Sequence, residues 1–512
     1  MNTLSGKILL TICFVILLLV LLVYNPLNAT IRSTFNQVDG RQLVGFLPVD
    51  CWFTPESDWP VTECYYMQVP ENHAKPDGRV ITFPVVVFRS RAIIAYKNPV
   101  LHLGAGGPGA PMNFQDSASV RNIWEYHDEM SLKQGRDLFV MDPRGAGLSY
   151  PLLMCDTYIE NELKRLQRNL SLVQELKEVD QDYFRCIEKF KKQGVDFSSY
   201  NSLSVAYDVE LMRKAARIEQ WVLIGVSHAT IYAQLMANEF PETIESMVLD
   251  SALFPNVKAH HNFIARTMAP YDALLNYCET SPECVAPIHD LEQRIWHLYE
   301  KLNQHPLKVN IPHPYEPDTL TVSLNGERFL SAIMTGMYGD KIFNDIPQII
   351  IDLEAERYES LTPYLEAYFM YLLDERYGDV SANAHFCYED KPFTDFDLMK
   401  QLAHELPEGY IRDTSLLALN WPDYCDKMQI APGNSKVARI KPNKIPTLFV
   451  HGELDTITLL NDVLEQKSNF TQSQLVTYHV SHSVLSADEC AEYVAAKFIA
   501  NPALEQNQLV CF

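Results

Sequence analysis

The sequence predicts an α/β fold, with a mainly parallel sheet, helices on both faces and an inserted, mainly helical unit. Three observations predict it. Short apolar runs at Val100–Leu103, Asp137–Asp142, Trp221–Val226 and Ile244–Leu249 are separated by segments of helical or loop character. From Ser251 to about Pro446 that alternation stops, and a helical pattern rich in Tyr, Leu and Glu replaces it. The alternation then resumes with Thr447–His451 and Leu475–Val480. The chain therefore divides into residues 1–30 as an export signal or membrane anchor, 45–252 and 441–512 as two parts of one core, and 253–440 as the insertion, a candidate lid.

Bulk properties narrow the function. Of 512 residues, 47% are hydrophobic and 21% charged, as in an ordinary globular protein. A net charge of −23 argues against nucleic acid and against an anionic membrane surface, because both need basic patches. It fits a substrate with a free amine only weakly, and plain solubility is the stronger reading. Lys7 precedes a run without charge, Ile8 to Val23, that ends at Tyr24-Asn25-Pro26 without an A-x-A cleavage site. This reads as a single signal anchor or a signal peptide, placing residues from about 30 onward outside the cytoplasm, periplasmic or secreted. The cysteines agree. Cys13 lies in the apolar run, and the other ten fall into neighbouring pairs: Cys51 and Cys64, Cys155 and Cys186, Cys278 and Cys284, Cys387 and Cys425, Cys490 and Cys511. An even count in an exported chain points to disulfides. No C-x-x-C motif or Cys/His cluster has metal-ligand spacing, so neither a metal nor a cofactor is expected.

Taken in order, residues 31–63 read as irregular, and Cys64–Pro70 and Val80–Arg89 as opening strands joined by a turn over 72–78. The strand Val100–Leu103 runs into Gly104-Ala105-Gly106-Gly107-Pro108-Gly109. The G-x-x-x-x-G-K-[ST] pattern is absent, which excludes a P-loop. The other use of such a loop is to aim backbone N–H groups at an oxyanion. The amides of Gly107 and His228 are the candidate donors. Asp142 ends the next strand and opens the loop Pro143–Ser149, where Asp142 and Arg144 are expected to form a structural ion pair. Glu160 to Lys192 reads as a solvated helical segment, and Ser204 to Ile218 as an amphipathic helix leading into the central strand.

That strand ends in Gly225-Val226-Ser227-His228-Ala229, followed by helical spacing through Glu239. Ser227 thus sits on a sharp strand-to-helix turn, where small neighbours let the two backbones approach. The plainer reading is a serine N-cap. Two more strand ends carry Asp455 and His482, and parallel sheets place ligands at such ends. Ser227 would attack a carbonyl, His482 would move the proton, and Asp455 would hold the imidazole. The rivals for the base are His479, within its strand, and His228, beside the serine; for the acid they are Asp250, Glu453 and Asp462.

With these stretches assembled, the chain resembles the proline iminopeptidase and tripeptidyl aminopeptidase group of α/β-hydrolases, peptidase family S33. The resemblance rests on Gly106-Gly107-Pro108-Gly109, Asp142 to Ser149, Gly225 to Ala229, Phe240-Pro241-Glu242 and Val248-Leu249-Asp250, and on the tail from Pro446 to Cys511. It implies an α/β-hydrolase fold and a metal-free aminopeptidase acting on peptides with a free N-terminus, with Ser227, Asp455 and His482 as the triad. The sequence departs from the family at Ala229, His228 and Ser483, where glycine, an aromatic and glycine are usual. The lid is expected to hold the substrate amine with carboxylates, for which Glu327, Asp340, Asp345, Glu389 and Asp390 are the candidates. An esterase on the same triad, or an inactive binding protein on the same fold, are the competing readings.

Overall fold

A computed structural model describes residues 44–511 apart from 93–96, 286 and 420–421. The expected export segment, residues 8–23, lies outside the described residues.

Nine strands form one sheet in the order β1-β2-β3-β5-β4-β6-β7-β10-β11. They are β1 (Gly45–Val49), β2 (Thr62–Pro70), β3 (Val80–Phe88), β4 (Val100–His102), β5 (Leu138–Met141), β6 (Trp221–Val226), β7 (Ile244–Asp250), β10 (Thr447–Gly452) and β11 (Ser473–Tyr478). The first three run antiparallel to their neighbours, and the six from β5 to β11 are mutually parallel. The stretch over 31–63 is not wholly irregular: β1 forms where Gly45 to Val49 pairs with β2. That run contains a proline and has no alternation, so its pairing, rather than its own pattern, makes it a strand.

Alternate side chains divide two cores. Leu101, Phe139, Leu223, Leu249 and Phe449 pack on one face with helices Ser202–Ala215 and Ala229–Glu239. Val100, Val140, Val222, Val248 and Val450 pack on the other, with helices Ser117–His127 and Glu489–Ala500. This period of two is why the strands read as continuous apolar runs: both faces are covered.

Residues 251–446 are mainly helical, but they also hold a two-stranded antiparallel sheet of β8 (Leu307–Pro312) and β9 (Thr319–Leu324). Their core includes Leu274, Leu298, Phe329, Phe343 and Leu365, and it also takes in Leu166 from the earlier excursion. The charged segment before the nucleophile is two helices, Asp156–Leu166 and Leu172–Lys192. Arg328, fully buried, donates to the carbonyls of Arg165, Leu166 and Arg168, joining that excursion to the insertion. All five neighbouring cysteine pairs are bonded. Each such crosslink typically contributes about 2–4 kcal/mol, mainly by restricting the unfolded chain. Among the described residues, no helix is long and apolar enough to cross a membrane.

Candidate active site

Ser227 directly follows β6 with φ +55°, a left-handed conformation that is costly for serine. Neighbouring contacts hold it there. Its N–H donates to the Asp250 carbonyl at 2.9 Å, and its own carbonyl accepts from Thr230 N at 3.1 Å and Thr230 Oγ1 at 2.6 Å. The small residue before it is required: a Cβ on Gly225 would lie 2.9 Å from the Ala229 carbonyl oxygen and 3.0 Å from Thr230 Cα. Ala229 is fully buried and fits without glycine. The glycine-rich loop runs against this turn. Gly106, at φ +108°, would place a Cβ 3.3 Å from that of Ser227.

His482 lies four residues beyond β11, almost buried. Its Nδ1 is 2.9 Å from Asp455 Oδ2. Asp455 also accepts from the Ile457 and Thr458 amides, both at 2.9 Å, and from Thr458 Oγ1 at 2.6 Å. Burial works to raise this carboxyl, but the hydrogen bond and charge of His482, with those from Thr458, outweigh it and leave Asp455 below the usual range. A carboxylate accepting at Nδ1 fixes the neutral imidazole with its lone pair on Nε2, the form a general base needs.

The rivals have other partners. Asp250 accepts from the Val484 and Leu485 amides, each at 3.0 Å, while Ser483 N donates to Ser251 Oγ at 3.0 Å. Burial raises the Asp250 carboxyl to about 6. Asp462 pairs with Arg266, and exposed His479 faces Glu453 at 3.3 Å. Burial first, then His385 and Lys258, pushes the His228 imidazole well below the usual histidine range.

The Asp142–Arg144 pair does not form. Arg144 makes a two-point bond to Asp208 instead, Nε to Oδ2 at 2.7 Å and Nη2 to Oδ1 at 2.5 Å, with both side chains fully buried. Asp142 accepts from the Met112 and Leu148 amides, at 2.6 and 3.0 Å, and so fixes the loops on either side. Sequence proximity suggested the pair, but the tight loop turns the two side chains to opposite purposes.

The insertion meets the core beside the serine. Gly378 N donates to the Gly109 carbonyl at 2.8 Å, and Gly147 N to that of Arg376 at 3.0 Å. The Tyr377 hydroxyl lies 3.7 Å from where a Cβ of Gly107 would stand. Tyr338 sets its ring edge-on to His482 at 5.3 Å, and its carbonyl accepts from His482 N at 3.3 Å. Four of the five expected lid carboxylates are engaged elsewhere: Glu327 by Tyr299, Asp345 by Tyr364, Glu389 by Ser202 and Asp390 by Lys258, while Asp340 sits at the start of helix Lys341–Glu354.

The sequence profile of the alpha/beta hydrolase fold family matches residues 100–486, from β4 to just past His482. The chain belongs to that family.

Relatives with assigned names are similar over different extents. Serine protease Hip1 of Mycobacterium tuberculosis (strain ATCC 25618 / H37Rv) is 23% identical over 460 residues, covering 85% of both chains. Tripeptidyl aminopeptidase of Streptomyces lividans is 25% identical over 223 residues, 40% of this chain and 38% of the relative. Carboxylesterase B of M. tuberculosis (strain CDC 1551) is 26% identical over 275 residues, 50% of this chain and 49% of the relative.

In this α/β-hydrolase fold, three neighbouring strand ends carry Ser227, the Asp250 clamp and Asp455, and the loop after a fourth carries His482. Sequence reading missed the clamp and the tyrosines. Asp250 looked like a spare acid because its partners are backbone amides, which leave no trace in composition. Tyr338 and Tyr377 lie in a segment whose tyrosines are numerous and carry no spacing signal.

Proposed function

We propose that the chain is an exported serine hydrolase that releases short units from peptide N-termini. Ser227 Oγ attacks the scissile carbonyl and His482 Nε2 accepts its proton. The amides of Gly107 and His228 bind the oxyanion, and helix Ala229–Glu239 directs its positive end toward it. His482 then returns the proton to the leaving amine, and water, activated by the same imidazole, hydrolyses the acyl-enzyme. Residues 253–440 act as the lid that closes over this site. The observation that carries the reading is the 2.9 Å contact between His482 and Asp455, which supplies a tautomer-fixed base on the loop clamped beside the Ser227 turn. Similarity to serine protease Hip1 across most of both chains supports a peptide substrate. The disulfides support a location outside the cytoplasm, with residues 8–23 as signal or anchor.

The test is hydrolysis by the detergent-solubilised full chain of matched free-amine and amine-blocked peptides and a simple aryl ester, with Ser227→Ala as control. Turnover of free-amine peptides alone, lost in the variant, is the expected result. Ester turnover indifferent to the amine would replace this reading with the esterase one, which similarity to carboxylesterase B favours.

A further inference from the structure

A cavity of about 240 Å³ opens where the excursion after Cys155 meets the insertion. Tyr158, Tyr183, Tyr371 and Tyr377 line it together with Asp374 and Asp379. Tyr158 and Tyr183 stack with ring centroids 5.6 Å apart. Two of its walls also face the candidate active site. Tyr377 stands over Gly107, and the Tyr371 ring lies 6.1 Å from that of Tyr338, which contacts His482.

Aromatic faces carry the negative end of the ring quadrupole, and carboxylates add charge when ionised. Tyr158 already carries Arg165 on its ring and stacks with Tyr183, so Tyr183, Tyr371 and Tyr377, with the two aspartates, are left to make a cage for a cation. Charges already present modify this without reversing it. Arg165 covers one face of Tyr158 at 5.2 Å, but its own charge is met by Glu162 and Asp182. Arg376 offsets part of the Asp374 charge, and Glu375 adds to it. Asp379 accepts from the Cys155 amide at 3.1 Å, the Val380 amide at 2.6 Å and the Tyr183 side chain, so it ties the two segments together at the cavity wall. We propose that this cavity is a subsite for an alkylammonium group of the substrate. Its use in turnover rests on the peptidase reading above; its binding of a cation does not. Burial raises Asp379 to about 7 despite those amides, and an ammonium ion in the cavity would favour its ionised form.

The binding test uses the full chain carrying Ser227→Ala, so that turnover plays no part. Butylammonium chloride is titrated at constant ionic strength, with n-butanol as the uncharged match, and binding is read by tyrosine fluorescence. Butylammonium should bind about tenfold more tightly than butanol, and Asp379→Asn or Tyr371→Leu should each weaken it by about fivefold. Tyr371 is 55% exposed, so its truncation leaves the fold intact even if Asp379→Asn does not. Equal binding of both probes, or butylammonium binding unchanged by Tyr371→Leu, overturns the proposal.

A second arm, with Ser227 restored, identifies the source of the ammonium. A rise in KM in Tyr371→Leu for free-amine norleucyl and lysyl peptides alike assigns the α-ammonium, and a rise for the lysyl peptide alone assigns the side chain. A rise for neither overturns the substrate role. If the cation binds as expected but Ser227→Ala still turns over peptides, the subsite stands and the serine mechanism falls.

Discussion

Asp250 holds Leu485 by its backbone: the carboxylate at the end of β7 accepts the Leu485 amide at 3.0 Å and the preceding Val484 amide at the same distance. His482 begins the short stretch that those amides close. The Asp250 carbonyl receives the Ser227 amide at 2.9 Å, so one aspartate touches the backbone of both halves of the candidate machinery. Asp250→Ala leaves two buried amides without an acceptor, each costing about 1–3 kcal/mol. The loop should relax and misplace the imidazole. We expect kcat to fall by about 10–100-fold with KM little changed, the mark of lost positioning. Asn should restore part of it, because one oxygen remains. A loss confined to thermal stability, with kcat intact, would make the clamp purely structural.

Gly225→Ala tests the turn that presents the serine. The added methyl would meet backbone atoms of residues 229 and 230 at 2.9–3.0 Å, and backbone cannot rotate away as a side chain can. The strand and the following helix must separate. Stability should drop by more than the ~1 kcal/mol of a surface change, and activity should fall with it. Ala229→Gly, at the other end of the turn, should change activity little, because Ala229 already fits there without steric cost. Thermal midpoints and kcat of the two variants provide the check.

Much of this site was legible beforehand, and the reason is local. Strand-to-helix turns are written in consecutive residues, so Gly225 to Ala229 could be read directly, as could Asp455 after its strand. Runs such as Leu223 and Ile224 declared a sheet covered on both faces. Contacts between distant segments left no such mark. Arg144 and Asp208 are 64 positions apart, and nothing in either neighbourhood announces the pair. β1 and β8–β9 are short strands made by pairing, and the aromatic cavity joins Tyr158 to Tyr377 across segments that fold together only in space.

The Arg144–Asp208 pair makes a prediction of its own. Both groups are fully buried, and Arg144 also donates to the carbonyls of Glu71 at 2.6 Å and Ser199 at 2.8 Å. Arg144→Met strands the Asp208 carboxylate beside His73, whose Nε2 lies 2.9 Å away. Breaking a buried pair in this way should cost about 3–5 kcal/mol. Removing the partner as well, in Arg144→Met with Asp208→Leu, should recover part of that loss, since no charge is left unmatched. Denaturant unfolding of the single and double variants measures the coupling, and a double variant less stable than the sum of the two singles would contradict it.

Asp142 sets a pH dependence whose sign differs from that of a salt-bridged aspartate. Burial raises its carboxyl to about 7, against the opposing pull of the Leu148 and Met112 amides and the charge of Arg376. An aspartate in the unfolded chain titrates near ~3.9. Below both values the residue is protonated in either state and contributes no pH dependence. As pH rises from about 4 to about 7, the unfolded chain releases its proton while the folded one retains it, so stability falls across that window and levels off above it. Asp142→Asn abolishes this titration while other groups titrate as before. The stability advantage of the native protein over the variant should therefore be larger at pH ~5 than at pH ~7.5. Chemical denaturation at the two pH values decides it: an advantage that grows as pH rises would mean that the two backbone amides, not burial, govern the Asp142 proton.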